Sequence, residues 1–243
     1  MTTAPHHLAS VFVELAGGGG QGPPGVPTLL TRLAGRSKEL LTVHATAVAF
    51  AAGARDAPQV AASDADVRRL EEEAVAWGEG PGPDCRRTGT ALGGTALTGS
   101  VARQRWPRYA PRALALGCTH AAALPIRGHT GPVGALVLLA TRRTPLTEDL
   151  MALGQSLADF AAVTLLREHE VEAGRALAAQ LEHALATRVV IEQAKGAMTA
   201  RHSLSPDAAF TVLRGYARSH QRLLTEVARE VVEGRLDPGQ PRP

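Results

Sequence analysis

Two cysteines, Cys85 and Cys118, and two lysines, Lys38 and Lys195, are all that this chain of 243 residues holds of either type. Two thiols are too few for a disulfide framework, so a reducing, cytoplasmic setting is expected. The basic charge is carried by arginine. Together with abundant alanine, glycine and proline, this reads as a coding bias toward GC-rich DNA, which weakens alanine as a helix signal. Long apolar runs are missing too: the longest, around Ala45 to Ala52 and Val133 to Ala140, fall far short of the roughly 20 residues that span a bilayer. The amino terminus has no basic-then-apolar export pattern, and no membrane partner is expected. Patterns that carry chemistry are equally sparse. The pair Gly93-Gly94 has neither the lysine nor the hydroxyl residue of a phosphate-binding loop. Paired histidines sharing a helix with a glutamate, a serine in a nucleophile turn and the acidic cluster of a phospho-acceptor domain are all lacking. The chain is therefore not expected to be an enzyme or to hold a metal or cofactor.

What is present divides into a larger and a smaller domain, within the usual size range of about 50 to 250 residues each. Leu8 to Ala16 suits a short helix, and the glycines and prolines of Gly17 to Gly25 suit a linker. Thr28 to Leu41 has leucines at helical spacing, His44 to Ala52 and Gln59 to Ala62 read as strands, and Ser63-Asp64 caps a helix through Trp77. Gly78 to Gly94 is rich enough in glycine and proline to be expected as a loop. Pro111 to Gly117 suits a short helix, and Thr119 to Ile126 with Val133 to Ala140 suits a hairpin of buried strands. From Leu146 to about Ala200 the pattern is helical. Leu150, Leu153, Leu157, Phe160 and Thr164 step by three and four as in a coiled-coil seam, continued by Arg167, Val171, Gly174, Ala178, Leu181 and Leu185. Gly174 weakens that helix and marks a joint. Ser205-Pro206-Asp207 starts another helix, and Gly234 closes the last.

Charge is concentrated near the carboxy terminus. Between Arg188 and Arg222 there are six cations (Arg188, Lys195, Arg201, Arg214, Arg218 and Arg222) and two acids (Glu192 and Asp207), a local excess of +4. Arg214, Arg218 and Arg222 fall at steps of four on one helix, so they share a side, and Lys195 lies seven residues beyond Arg188 on one face. Such an excess suits a polyanion. It equally suits a solvated face on which Glu192 pairs with Arg188 or Lys195. Phe210, Leu213 and Ala217 form one apolar face, Leu224, Val227, Ala228, Val231 and Val232 a second, and Val190, Ile191, Ala194 and Met198 a third. Three such faces close a small bundle.

IEQAKGAM at Ile191 to Met198, SPDAAFTVLRGYAR at Ser205 to Arg218 and LLTEVA at Leu223 to Ala228 resemble the ANTAR domain, an RNA-binding module of bacterial transcription antitermination regulators. The resemblance implies a three-helix unit that, as a homodimer, holds two RNA stem-loops in a nascent transcript and excludes the terminator hairpin. The positions that match the family are Arg188, Ala194, Lys195, Gly196, Phe210, Arg214, Ala217 and Arg218; the resemblance implies RNA contact for these apart from Phe210, which suits the core with Leu213 or else a stacked base, and the spacing adds Arg222. Small side chains at Ala194, Gly196 and Ala197 would let an RNA loop approach the first helix. Thr199 departs from the methionine or other apolar residue common in the family.

EGPGPDCRRTG, RWPRYAPRALALG and ALPIRGHTGPVGALVLLATRRTPLTEDL, spanning Glu79 to Gly89, Arg105 to Gly117 and Ala123 to Leu150, resemble the GAF half of actinobacterial GAF-ANTAR regulators. That resemblance implies a sensory domain receiving a small-molecule or protein signal. Relatives often carry a cysteine where Gly82 stands, which leaves any thiol role to Cys85: Arg86 and Arg87 beside it favour a thiolate, and a structural or incidental cysteine is the alternative. Trp77 and Trp106 are candidates for lining a sensory cavity or filling the core. The expected class is α+β: a GAF-like antiparallel sheet with helices, joined by a long helix to an ANTAR-like bundle. The expected boundaries are a short helix and linker over 1–27, a sensory domain over 28–166, a connector over 167–180, an RNA-binding domain over 181–236 and a disordered tail over 237–243. Two other readings remain open at this point: a DNA-binding helix-turn-helix regulator, and a redox or small-molecule sensor acting through protein partners.

Overall fold

The computed structural model describes residues 11–15, 25–53, 56–142 and 145–239. Most of the expected linker lies outside them. The elements in chain order are α1 (11–15), α2 (Gly25–Leu41), β1 (Ala45–Phe50), β2 (Gln59–Ala62), α3 (Ala65–Trp77), α4 (Pro81–Thr88), β3 (Leu92–Ala96), α5 (Ser100–Arg105), α6 (Tyr109–Ala115), β4 (His120–Gly128), β5 (Gly131–Ala140), α7 (Glu148–His202), α8 (Pro206–Ser219) and α9 (Leu224–Val232). Residues up to Glu172 form one compact unit and those from Ala173 a second.

In the first unit the strands make one antiparallel sheet in the order β2-β1-β5-β4-β3. All six residues of β1 are buried, as are the last eight of β5, the pattern of strands covered on both faces. Val48, Phe50, Leu124, Leu136 and Leu138 point to one side, where Leu29, Leu30 and Leu33 of α2 and Leu157, Ala161 and Leu165 of α7 cover them. Ala47, Ala123, Val137 and Leu139 point to the other, beneath Leu70 and Ala74 of α3, Cys85 of α4 and Trp106. Each fully buried leucine contributes about 2 kcal/mol. Gly134 is needed where β1 and β5 meet, because a Cβ there would lie 2.3 Å from the Ala49 carbonyl oxygen.

The segment expected as a loop from Gly78 to Gly94 instead holds α4 and most of β3. Its prolines stand in the first turn of α4, where no amide hydrogen is needed. Its glycines serve at the ends, Gly78 (φ 64°) closing α3 and Gly89 (φ 69°) closing α4 in left-handed conformations. The short helix α5 was likewise unexpected.

The opening residues of the expected seam on α7 are used locally. Leu157 is buried, and Leu150, Leu153 and Phe160 pack on the same core. This half of α7 explains why an 18-residue stretch of the helix reaches a mean hydropathy of 1.3, long and apolar enough to cross a membrane by composition. Beyond Val171 the apolar residues Leu177, Leu181, Leu185 and Val189 are exposed.

Glu71 of α3 is 1% exposed and accepts a 2.6 Å hydrogen bond from the Tyr109 hydroxyl. Loss of solvent pushes its carboxyl up to about 7, against the opposing pull of that hydrogen bond. The folded protein thus holds this proton more tightly than the unfolded chain. Its contribution to stability is fullest below the ordinary carboxylate range and falls as pH rises through that range toward 7. Glu71→Gln keeps an acceptor for Tyr109 and is expected to flatten the fall, gaining on the order of 3 kcal/mol above neutrality. Urea unfolding at acidic and alkaline pH checks this, and an unchanged profile would contradict it.

Candidate nucleic-acid interface

The second unit is a three-helix module made of the end of α7 with α8 and α9. Ala194, Met198, Ala209, Leu213, Ala217, Val227, Ala228 and Val231 form its buried core. Ser205 caps α8, its hydroxyl accepting from the Ala208 amide at 3.2 Å, with proline next and Asp207 in the first turn. Gly234 (φ 75°) ends α9 in a left-handed turn, with the Gly234 amide on the Val231 carbonyl and the Arg235 amide on the Glu230 carbonyl. The chain remains held past the expected boundary at Leu236, since Asp237 meets His202 Nε2 at 2.7 Å.

This packing sorts the expected contact residues. Ala194 is fully buried and Ala217 nearly so, so neither offers a surface to RNA, and the expected approach at Ala194 is corrected. Gly196 is exposed, and a Cβ there would meet nothing within 4 Å. Arg222 lies past the end of α8 at Ser219, not on one helix with Arg214 and Arg218 as expected, and it is committed elsewhere. Its guanidinium donates to both carboxylate oxygens of Glu230, at 2.9 and 2.7 Å, and lies 4.0 Å from Glu226. The pair raises the arginine's pKa and lowers the glutamate's, through that hydrogen bonding first. Lys195 donates to both oxygens of Glu192 at 2.9 Å, and its ammonium lies 5.9 Å from the centre of the Phe210 ring. Arg188, Arg214 and Arg218 are exposed, with no side-chain partner among the described residues.

Arg214 and Arg218 border a shallow groove of about 310 Å³ on α8, shared with Phe210, Thr211 and Gly215. Phe210 was expected in the core with Leu213. Ala209 takes that place, and Phe210 is turned one step around the helix to the half-exposed groove wall. Thr211 and Gly215 were not anticipated. Their signal was the step of four that also joins Phe210 to Arg214. Nearby, His220 stacks on Tyr216 with ring centres 3.9 Å apart. Cations flanking a flat apolar surface and a small residue can hold phosphate while a base lies against the ring.

Residues 179–232 match the ANTAR domain family model. The carboxy-terminal module is an ANTAR domain. The GAF domain of an Acinetobacter phosphoenolpyruvate-protein phosphotransferase has a TM-score of 0.52 at 12% identity, covering 70% of this chain and 98% of its own. A GAF domain from the corresponding Coxiella burnetii protein has a TM-score of 0.49 at 14% identity, covering 70% of this chain and 99% of its own. The first of these shows the fold of the amino-terminal unit, and the chain joins a GAF fold to an ANTAR domain. No curated protein matches the chain.

Packing sorts the candidates in the GAF fold, with Trp106 in the core as one of its two expected readings had it. Cys85 is not in a polar loop: it faces the core from α4 and is fully buried. Desolvation pushes its thiol up to about 12, the reverse of the thiolate expected beside Arg86 and Arg87. Trp106 is a core residue whose indole nitrogen donates to Asp84 at 2.9 Å, and Asp84 also pairs with Arg87 and Arg105. Trp77 is half-buried under the guanidinium groups of Arg108 and Arg112, at 5.6 and 5.2 Å.

Thr199, the departure from the ANTAR pattern, has a buried hydroxyl without a hydrogen-bond partner among the described residues. Thr199→Val, of nearly the same shape, is expected to stabilise the module by about 1 kcal/mol, read as a rise in thermal midpoint.

Proposed function

We propose that the chain is a signal-responsive RNA-binding regulator that promotes transcription antitermination by holding paired stem-loops of a nascent transcript. The reading rests on one observation above others: within the ANTAR domain, Arg214 and Arg218 stand unpaired on either side of Gly215 with Phe210 beside them. Arg188, Lys195 and Gly196, on the preceding helix, complete the proposed contact set. Arginine forks match phosphate geometry, and unstacked loop bases are the usual target of sequence-specific RNA readers. The proposed working form is a homodimer, with the exposed Leu177, Leu181, Leu185 and Val189 of α7 covered by a second copy. In this reading residues 28–166 receive the signal, 167–180 connect, and 181–236 bind RNA.

Fluorescence anisotropy of the whole protein with a tandem stem-loop RNA and with duplex DNA tests the proposal. Lys195→Ala and Arg214→Ala are each expected to weaken RNA binding by about tenfold. For three or four phosphate contacts, the logarithm of affinity should fall with log salt at a slope of about −3. Equal affinity for the duplex, or variants that bind RNA as well as the parent, would overturn it.

A further inference from the structure

At one end of the sheet, between β1, β5 and the helices α3 and α4, lies a cavity of about 580 Å³. That is within the roughly 300–1,000 Å³ of pockets that hold small molecules. Its walls are largely apolar and small, among them Ala49, Ala51, Val75, Pro83, Val133 and Ala135. Two arginines of α4 also line it, and they differ. Arg87 is exposed and paired with Asp84. Arg86 is half-buried and has neither an ion-pair nor a hydrogen-bond partner among the described residues. A guanidinium withdrawn from water without an anion is unfavourable, and an oxyanion entering the cavity would relieve it through a two-pronged hydrogen bond. Helix α4 sits close on the sheet because Gly82 has no Cβ, which would lie 3.1 Å from Val137. Arg86 is therefore carried on a well-seated element.

We infer that this cavity takes a small organic monoanion, a carboxylate or sulfonate on an apolar body, with its acid group on Arg86 and its body against the alanine and valine walls. A single unpaired guanidinium among apolar walls suits one charge. A multiply charged phosphate ester would leave its remaining charge without donors. The inference rests on reading the GAF fold as the signal-receiving part of the protein, and it names the class of signal.

The test uses two fluorescent probes with the full chain: anilinonaphthalene sulfonate, an apolar body with one sulfonate, and phenylnaphthylamine, its uncharged analogue. Arg86→Gln is expected to weaken the sulfonate by about tenfold while leaving the neutral probe unchanged. Ala52→Phe, which fills the cavity wall, is expected to displace both, with circular dichroism reporting that each variant folds. Sulfonate affinity unaffected by Arg86→Gln overturns the anion class. Binding of both probes unaffected by Ala52→Phe overturns the cavity as the site, since the probes then sit on other apolar surface. Anisotropy of stem-loop RNA in the presence of the sulfonate separates the two readings. A probe held through Arg86 without change in RNA affinity upholds the site and overturns the sensor role instead.

Discussion

Covering both faces of a five-stranded sheet is the constraint from which the amino-terminal unit follows. A strand clad on two sides cannot alternate polar and apolar residues, so β1 and β5 are apolar along nearly all their length. Helices α2 and the start of α7 must then be apolar toward one side, and α3 to α6 toward the other. Two polar groups drawn into these layers gather partners, whereas the buried Ser37 hydroxyl has none among the described residues. Asp84 gathers the Trp106 indole and two arginines, and Glu71 takes the Tyr109 hydroxyl. Between α3, α4 and the sheet, one end keeps a space that side chains do not fill. A cavity of about 580 Å³ lies at that end, with a guanidinium on its wall.

In the ANTAR domain the decisive accounting is of charge rather than area. The local excess of positive charge does not by itself say which side chains are free. Arg222 is occupied by Glu230 and Lys195 by Glu192, so two of the six cations belong in part to the module's own cohesion. Of the other four, all exposed, Arg201 acts on Asp237, and Arg188, Arg214 and Arg218 are left to solvent. The solvated-face interpretation and the polyanion interpretation thus both hold, each for different residues of one stretch.

The sequence carried the fold at long range better than in detail. The buried strands, the β4–β5 hairpin, the long helix and the proline-led start of α8 were legible because each rests on strong local chemistry: short unbroken apolar runs, a capping serine, sustained helical periodicity. The helix α4 was not, because Pro81, Gly82 and Pro83 look like breakers until their place in a first turn is known. The same distance from tertiary context misplaced Cys85, which is buried in the core while Arg86 lines the cavity and Arg87 is exposed on Asp84. It also misassigned Phe210, since Ala209 and Phe210 differ by one step around the helix, and only packing decides which of them faces inward. Ala194 and Ala217 illustrate the limit of transferring a family's pattern, because a small residue can recur for close packing as readily as for contact.

The unpaired cations of the module are all guanidinium groups, and that has a bearing on how the protein can be controlled. An arginine keeps its charge at any physiological pH and is not a substrate for acylation of amines. The single lysine between Ala179 and Val232 is only 18% exposed, sheltered by Phe210 and tied to Glu192. Neither acetylation nor a drift toward alkaline conditions has an easy handle on this surface. Its availability must be governed by shape and by what covers it, rather than by turning its charge off.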